Sequence, residues 1–239
     1  MIAVSQFITR LEQGYTEAFL CRAEDGALYV TKSKRAGKTA LVKELLCGCI
    51  GRELALPIPS FELLYVSRRV AEYAINDEMH ELAELPGFGS KYVTDSSADP
   101  APGLPSLNLS DVSNVPEELR LRLLLFDWWV LNFDRIDDNP NLLWEPRTRN
   151  LHVIDHNLSF GVDSEEDFWR HHIFRADGVH LSDPAVRAVE LSRLQRIISI
   201  LPAIWNDMPQ EWLDGCILTK DRVDETLRRC EMDSFWCMK

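Results

Sequence analysis

Two polar motifs, joined by a short apolar stretch, constrain this chain more than any other part of its sequence. The first is NFDRIDDNPNLLW, residues 132–144, and the second is LHVIDHNLSF, residues 151–160. NLLW (141–144) and LHVID (151–155) are apolar runs, and the turn-forming residues EPRTRN separate them. These features predict a β-hairpin that carries polar residues of both motifs near its ends.

Carboxylate and amide side chains in these motifs suit phosphoryl transfer from ATP. Asp134 is a candidate for the acidic residue that orients the attacking hydroxyl and accepts its proton. Asn139, five residues later, and Asp155, at the end of the second apolar run, offer the oxygen ligands that Mg²⁺ prefers. The alternative is an ordinary polar loop beside a hairpin, because Asp and Asn are common turn residues.

A lysine and a glutamate near the N-terminus follow the order found in kinases. Lys32 closes the apolar run YVTK, and Glu44 lies twelve residues later on a predicted helix over 39–54. A kinase uses such a lysine to hold the ATP phosphates and such a glutamate to steady the lysine. Two alternatives stay open: Lys34 lies two residues on and would share the same strand face, and Glu44 would otherwise be a plain surface charge.

The rest of the pattern predicts an α+β chain with two lobes. The first 75 residues read β-β-α-β-β, and the predicted elements are two strands within 18–32, the helix 39–54, and strands over 60–66 and 69–75. Residues 94–116 are rich in Pro, Ser and Asp and predict a loop, after which helices are expected over 116–131 and from about 184 onward.

These elements give a small β-rich N-terminal nucleotide-binding lobe over 1–80, a connector and loop over 81–115, and a larger helical catalytic lobe over 116–239. A two-lobe chain commonly binds its small-molecule ligand in the cleft between the lobes. We therefore expect the ligand site of this chain in such a cleft.

The charge balance argues against two classes of partner. The chain has 26 Lys and Arg against 38 Asp and Glu, a formal net charge of -12. Nucleic acids and anionic membranes both favour basic surfaces, so neither is expected to bind. The N-terminus lacks a basic start followed by a long apolar segment, and the six cysteines lack metal-ligand spacing, so a cytoplasmic protein with reduced thiols is expected.

The motif N-x-D-R-x-x-x-N-P-N-L-L-W followed by V-I-D-H resembles the HipA-like kinase family, on the protein-kinase-like fold shared with phosphatidylinositol kinases. The segment YVTKSKRAGKTALVKELLCGCIGRELALPIP (29–59) resembles that family's lysine strand and glutamate helix. The resemblance implies ATP and Mg²⁺ as cofactors. It assigns the following roles: Asp134 as catalytic aspartate, Asn139 and Asp155 as metal ligands, and Lys32 with Glu44 as the phosphate-anchoring pair.

Three further residues have weaker assignments. Gly14 and Thr16 lie in the loop LEQGYTEAF and are candidate ATP contacts, with plain loop residues as the alternative. Arg135 is a candidate cleft residue that supports the catalytic loop, with a plain surface arginine as the alternative.

The predicted function is therefore a kinase that transfers the γ-phosphate of ATP to a Ser or Thr hydroxyl, on a protein substrate or on its own segment 5–17. A regulatory partner protein is a further expectation. One alternative is a small-molecule phosphotransferase of the aminoglycoside-kinase type, although those enzymes have a histidine close before the catalytic aspartate, where this chain has Asn132 and Phe133. The other alternative is a non-catalytic kinase-like binding module. Such a module usually lacks one of four residues that this chain retains, namely Lys32, Asp134, Asn139 and Asp155.

Overall fold

The computed structural model describes residues 1–11, 17–95, 103–161 and 165–237, and these form two compact units. Each unit is assembled from three stretches of the chain. The first comprises Met1–Leu45, Pro59–Gly103 and Met208–Ile217, and the second comprises Leu46–Ile58, Leu104–Asp207 and Leu218–Lys239. The lobe boundaries at residues 80 and 115 stay a prediction.

The first unit is built around a closed barrel in the strand order β1-β2-β3-β5-β4. Its strands are β1 Ile2–Arg10, β2 Phe19–Ala23, β3 Leu28–Lys32, β4 Phe61–Tyr65 and β5 Gly87–Lys91. Its helices are the first part of α1 (Lys38–Glu53), α2 (Arg68–Ala71), α3 (Asp77–Glu84) and α7 (Gln210–Leu213). Alternate residues of β2, among them Phe19 and Cys21, point into the core that the barrel encloses.

The first unit differs from the sequence analysis in three strands. The predicted strand over 69–75 is wrong, because the Ser67 hydroxyl accepts the Val70 N–H and starts helix α2 there. The strand that pairs with β4 is β5, which contains two glycines and therefore has a weak strand signal. A Cβ on Gly89 would meet the Leu64 side chain at 2.3 Å, so this close approach of β4 and β5 requires glycine. Strand β1 was also not predicted, whereas helix α1 confirms the prediction over 39–54.

The second unit is mainly helical. Its helices are α4 Glu117–Val130, α5 Glu165–His171, α6 Pro184–Asn206 and α8 Lys220–Arg228, and its hairpin strands are β6 Leu142–Glu145 and β7 Asn150–Val153. These elements confirm the predicted helix over 116–131, the predicted hairpin and the predicted helical C-terminal part. Asp155 lies two residues beyond the end of β7.

Helix α4 is the central element of this unit. Every residue from Leu123 to Val130 is buried, including the carboxylate of Asp127. The helix ends at Leu131, whose left-handed backbone (φ 53°) turns the chain directly into the first polar motif. In the part of the chain that the structure describes, no helix combines the length and the apolar character needed to cross a bilayer.

Candidate active site

The loop between α4 and β6 brings the first pair of predicted site residues together. The Asn139 side-chain amide lies 3.4 Å from Asp134 Oδ2. A second amide, from Asn141, donates to the same oxygen at 2.8 Å. Asp134 is half-buried, so part of the residue is accessible to solvent.

The hairpin brings Asp155 to this loop. The N–H of Ile154 donates to the Asn141 carbonyl at 3.1 Å, which joins the chain after β7 to the end of the loop between α4 and β6. Asp155 itself has a left-handed backbone (φ 59°), a conformation that is several-fold enriched in Asp and Asn. The structure therefore brings Asp134, Asn139 and Asp155 into one cluster.

The electrostatics of the cluster favour the binding of a cation. Burial raises the pKa of Asp134, and the nearby charge of Asp155 raises it further, while hydrogen bonds from Asn141 and Asn139 act in the opposite direction. A divalent cation beside these carboxylates would relieve their mutual repulsion.

The donor atoms of the cluster fit Mg²⁺ better than a transition metal. They are the carboxylate oxygens of Asp155 and the amide oxygen of Asn139, with the carboxylate of Asp134 beside them. Among the described residues, no group of three or more His, Cys, Asp or Glu side chains could hold a metal ion by itself. Mg²⁺ rarely needs such a group, because it keeps several waters and shares phosphate oxygens of the substrate.

A buried polar network lies beneath the loop between α4 and β6. Arg135 has no solvent exposure, and its Nε donates to Asp127 Oδ2 at 2.6 Å. Its Nη1 donates to the carbonyls of Pro140 (3.0 Å) and Asn141 (2.8 Å). The alternative of a plain surface arginine is therefore wrong. Because the guanidinium is enclosed, Arg135 acts on the site only by holding the loop that carries it.

His172 completes this network. Its Nε2 lies 3.0 Å from Asp127 Oδ2, and its Nδ1 accepts the Phe174 N–H at 3.1 Å. The second contact requires an unprotonated Nδ1, so Nε2 carries the hydrogen and the ring is neutral. Burial lowers the pKa of His172 and outweighs the opposing effect of Asp127, which favours the same neutral form.

The charge of Asp127 is well compensated. Burial alone would raise its pKa, but the charge of Arg135 and the hydrogen bonds from His172 and Arg135 lower it to about 2. Breaking such a buried pair by removing one partner typically costs about 3–5 kcal/mol, because a charge is left without its counterion. Asp127 and Arg135 together therefore fix the position of the loop between α4 and β6 on α4.

The free energy of unfolding is expected to fall as the pH is lowered below 6.5, the ordinary pKa of histidine. The folded pKa of His172 is depressed, so between the two pKa values the unfolded chain binds a proton that the folded chain does not. The slope from this group reaches at most about 1.4 kcal/mol per pH unit. Urea unfolding followed by tryptophan fluorescence, from about pH 5 to pH 7.5, measures it.

The matched control is His172→Gln, whose amide keeps a donor for Asp127 and does not titrate. The difference between the two proteins isolates the contribution of His172 from that of other titrating groups. An identical pH slope in wild type and variant would contradict the assignment.

The predicted lysine–glutamate pair lies in the first unit. Lys32 is the last residue of β3, and its Nζ lies 2.5 Å from Glu44 Oε1 on α1. Both side chains are buried, so the alternative of Glu44 as a surface charge is wrong. Lys34 lies outside the strand, in a short 3₁₀ turn, and its exposed Nζ pairs with Glu84 on α3 at 2.7 Å. These contacts favour Lys32 over Lys34 as the phosphate-anchoring lysine.

Two predicted site residues are not described by the structure, and two residues of the site were not predicted. Gly14 and Thr16 lie outside the described residues. Sequence reasoning missed Asp127 and Asn141. Asp127 had a usable signal, because a single carboxylate within the apolar run LLLFDWWV is expected to be buried and paired. Asn141 had none beyond its place at the end of the polar motif.

Comparisons with known proteins give a family and a structural relative. Among curated proteins, none matches this chain. Among solved structures, the chain is similar to the crystal structure of a Helicobacter pylori proinflammatory kinase, CtkA, with 13% sequence identity and a TM-score of 0.46. That similarity covers 94% of this chain and 90% of the other. The profile of a family described as HipA-like kinase matches residues 4–239. The chain therefore belongs to the HipA-like kinase family.

Proposed function

We propose that this kinase transfers the γ-phosphate of ATP, with Mg²⁺, to a Ser or Thr hydroxyl of a protein. The observation that carries the proposal is the cluster of Asp134, Asn139 and Asp155, with a half-buried carboxylate whose pKa is raised. Family membership supports the kinase class, and the cluster supports the choice of residues.

Each residue of the cluster has a separate task in this reaction. Asp134 accepts a hydrogen bond from the acceptor hydroxyl, orients its oxygen towards the γ-phosphorus and takes up its proton. The new P–O bond forms as the bond between the γ-phosphorus and the β,γ-bridging oxygen breaks, and ADP leaves with that oxygen. Asn139 and Asp155 would hold Mg²⁺, which supplies charge neutralisation for the phosphates when it is bound.

Lys32 has the task of anchoring the phosphates. Its ammonium group is a compact cation with three donors, and its contact with Glu44 Oε1 fixes the position of Nζ. Its N–H groups are potential donors to phosphate oxygens of ATP.

The acceptor is proposed to be a protein hydroxyl because the charge balance opposes a lipid. The segment FGVDSEEDFWRHHIF (160–174) follows the second motif and carries four acidic residues and one arginine. An anionic leaflet attracts basic residues, at roughly 1 kcal/mol each. An acidic surface is better suited to a neutral or basic peptide around a Ser or Thr. The protein's own segment 5–17 is an additional candidate acceptor.

Incubation with γ-labelled ATP and Mg²⁺, alone and with cell lysate, tests the function. We expect label on Ser or Thr, identified by mass spectrometry of the labelled proteins. Label recovered only in phosphoinositide, or only in a small molecule, would contradict the protein acceptor. Label in a small molecule would favour the aminoglycoside-kinase alternative, and no transfer at all would favour a non-catalytic binding module.

Substitution of the proposed metal ligands is expected to weaken ATP binding mainly when Mg²⁺ is present. Asp155→Ala and Asn139→Ala each remove an oxygen donor, so calorimetry should show a loss of roughly tenfold or more in affinity with Mg²⁺ and little change without it. Asp138→Asn is the matched control, because Asp138 is an exposed carboxylate of the same loop. Equal losses with and without Mg²⁺ would argue against metal ligation.

A further inference from the structure

Asn141 makes the closest side-chain contact with Asp134 among the amides of the loop. Its Nδ2 donates to Asp134 Oδ2 at 2.8 Å, whereas the Nδ2 of Asn139 lies 3.4 Å from the same oxygen. A donor–acceptor distance of 2.8 Å is typical of a strong bond to a carboxylate, and 3.4 Å is beyond the usual range. Asn141 is therefore the main hydrogen-bond donor to the proposed catalytic base.

The backbone of Asn141 is held on two sides. Its carbonyl accepts one hydrogen bond from the Ile154 N–H at 3.1 Å and another from Arg135 Nη1 at 2.8 Å. Its backbone is left-handed, with φ 48°, a conformation that asparagine adopts more readily than most residues. These constraints fix the direction in which its side chain leaves the loop.

The constraints extend to the core of the unit. Arg135, which holds the Asn141 carbonyl, is bound to the buried carboxylate of Asp127 on α4. A continuous series of contacts therefore runs from Asp127 through Arg135 and Asn141 to Asp134. Each donor–acceptor distance in the series lies between 2.6 and 2.8 Å. Such a series transmits the rigidity of a packed helix to a loop side chain.

We propose that Asn141 is a positioning residue, which fixes the carboxylate of Asp134 so that its second oxygen faces the acceptor hydroxyl. This inference rests on the proposed phosphoryl transfer. The amide occupies Oδ2 and stops the carboxylate from rotating, so Oδ1 is kept for the hydroxyl proton. Asn139 is the weaker donor, because its Nδ2 lies 3.4 Å from the same oxygen.

Two substitutions of Asn141 separate its hydrogen bond from its backbone role. Asn141→Gly removes the side chain and is compatible with the left-handed backbone. Asn141→Asp keeps the shape and the backbone preference, replaces the N–H donor with an oxygen and adds a negative charge beside Asp134, so Asn141→Gly is the variant that removes the hydrogen bond without a new charge. The matched control is Arg149→Gly, because Arg149 is an exposed residue of the hairpin turn and is also left-handed, with φ 57°.

Steady-state kinetics and crystal structures of the variants give two independent readouts. We expect kcat to fall about 100-fold in both Asn141 variants, with KM for ATP changed less than about threefold, because misplacement of a reacting group costs rate more than binding. Arg149→Gly should keep wild-type kcat. In crystals of Asn141→Gly, the Asp134 carboxylate should be rotated or should occupy several orientations.

These experiments distinguish failure of the inference about Asn141 from failure of the proposed function. A wild-type protein without phosphoryl transfer would contradict the proposed function, while the orientation of Asp134 in the variant crystals would still decide the role of Asn141. Wild-type kcat in Asn141→Asp, or an unchanged Asp134 carboxylate in Asn141→Gly, would overturn the inference. A loss of kcat in Arg149→Gly equal to that in Asn141→Gly would also overturn it.

Discussion

Asp134→Asn is expected to lower kcat by about 10²- to 10⁴-fold, the range that general-base catalysis contributes. The substitution keeps the size of the side chain and removes its capacity to take up a proton. Binding of ATP should change little, because the role of Asp134 is directed at the acceptor hydroxyl. Label transfer from γ-labelled ATP gives kcat, and calorimetry gives the affinity for the nucleotide.

The control for Asp134→Asn is Asp138→Asn, which makes the same chemical change at an exposed position of the same loop. It should retain wild-type kcat. Wild-type turnover in Asp134→Asn would remove Asp134 from its role as the base. An equal loss in both variants would show that the effect arises from the loop charge in general.

Lys32→Met is expected to reduce kcat/KM by about 100-fold or more, the usual effect of removing one group that stabilises charge in the transition state. Methionine keeps most of the volume of the buried side chain and removes the ammonium group. Lys34→Met should have little effect, because Lys34 is exposed and its contact with Glu84 is a surface ion pair. Kinetics at several ATP concentrations compare the two variants directly.

Stability must be measured in parallel for Lys32→Met, because Glu44 loses its lysine partner inside the core. Circular dichroism of Lys32→Met and of the double variant Lys32→Met with Glu44→Gln separates loss of fold from loss of phosphate binding. A loss of activity confined to Lys34→Met would reverse the assignment of the two lysines.

Local patterns in the sequence predicted the elements that carry the site. The apolar periodicity of α1, the apolar run of α4 and the turn residues between β6 and β7 are signals within single segments, and both helices and the hairpin are present. The Lys32–Glu44 pair followed from the positions of its members on a strand and the next helix. The cluster of Asp134, Asn139 and Asp155 followed from the motif in the same way.

Local sequence patterns did not predict contacts between distant segments. Strand β5 has two glycines and exists because it pairs with β3 and β4, so no local propensity indicates it. The contact of Asp127 with His172 joins residues 45 positions apart, and only the fold brings them together. The same holds for Asn141, whose importance depends on where the loop returns to Asp134.

In a crystal structure with Mn²⁺ and a non-hydrolysable ATP analogue, the anomalous signal of Mn²⁺ locates the metal independently of the protein atoms. We expect a metal peak bound by Asn139 Oδ1 and the Asp155 carboxylate, with the γ-phosphate next to Asp134. A nucleotide bound with its metal away from Asn139 and Asp155, or with its γ-phosphate away from Asp134, would contradict the proposed phosphoryl transfer.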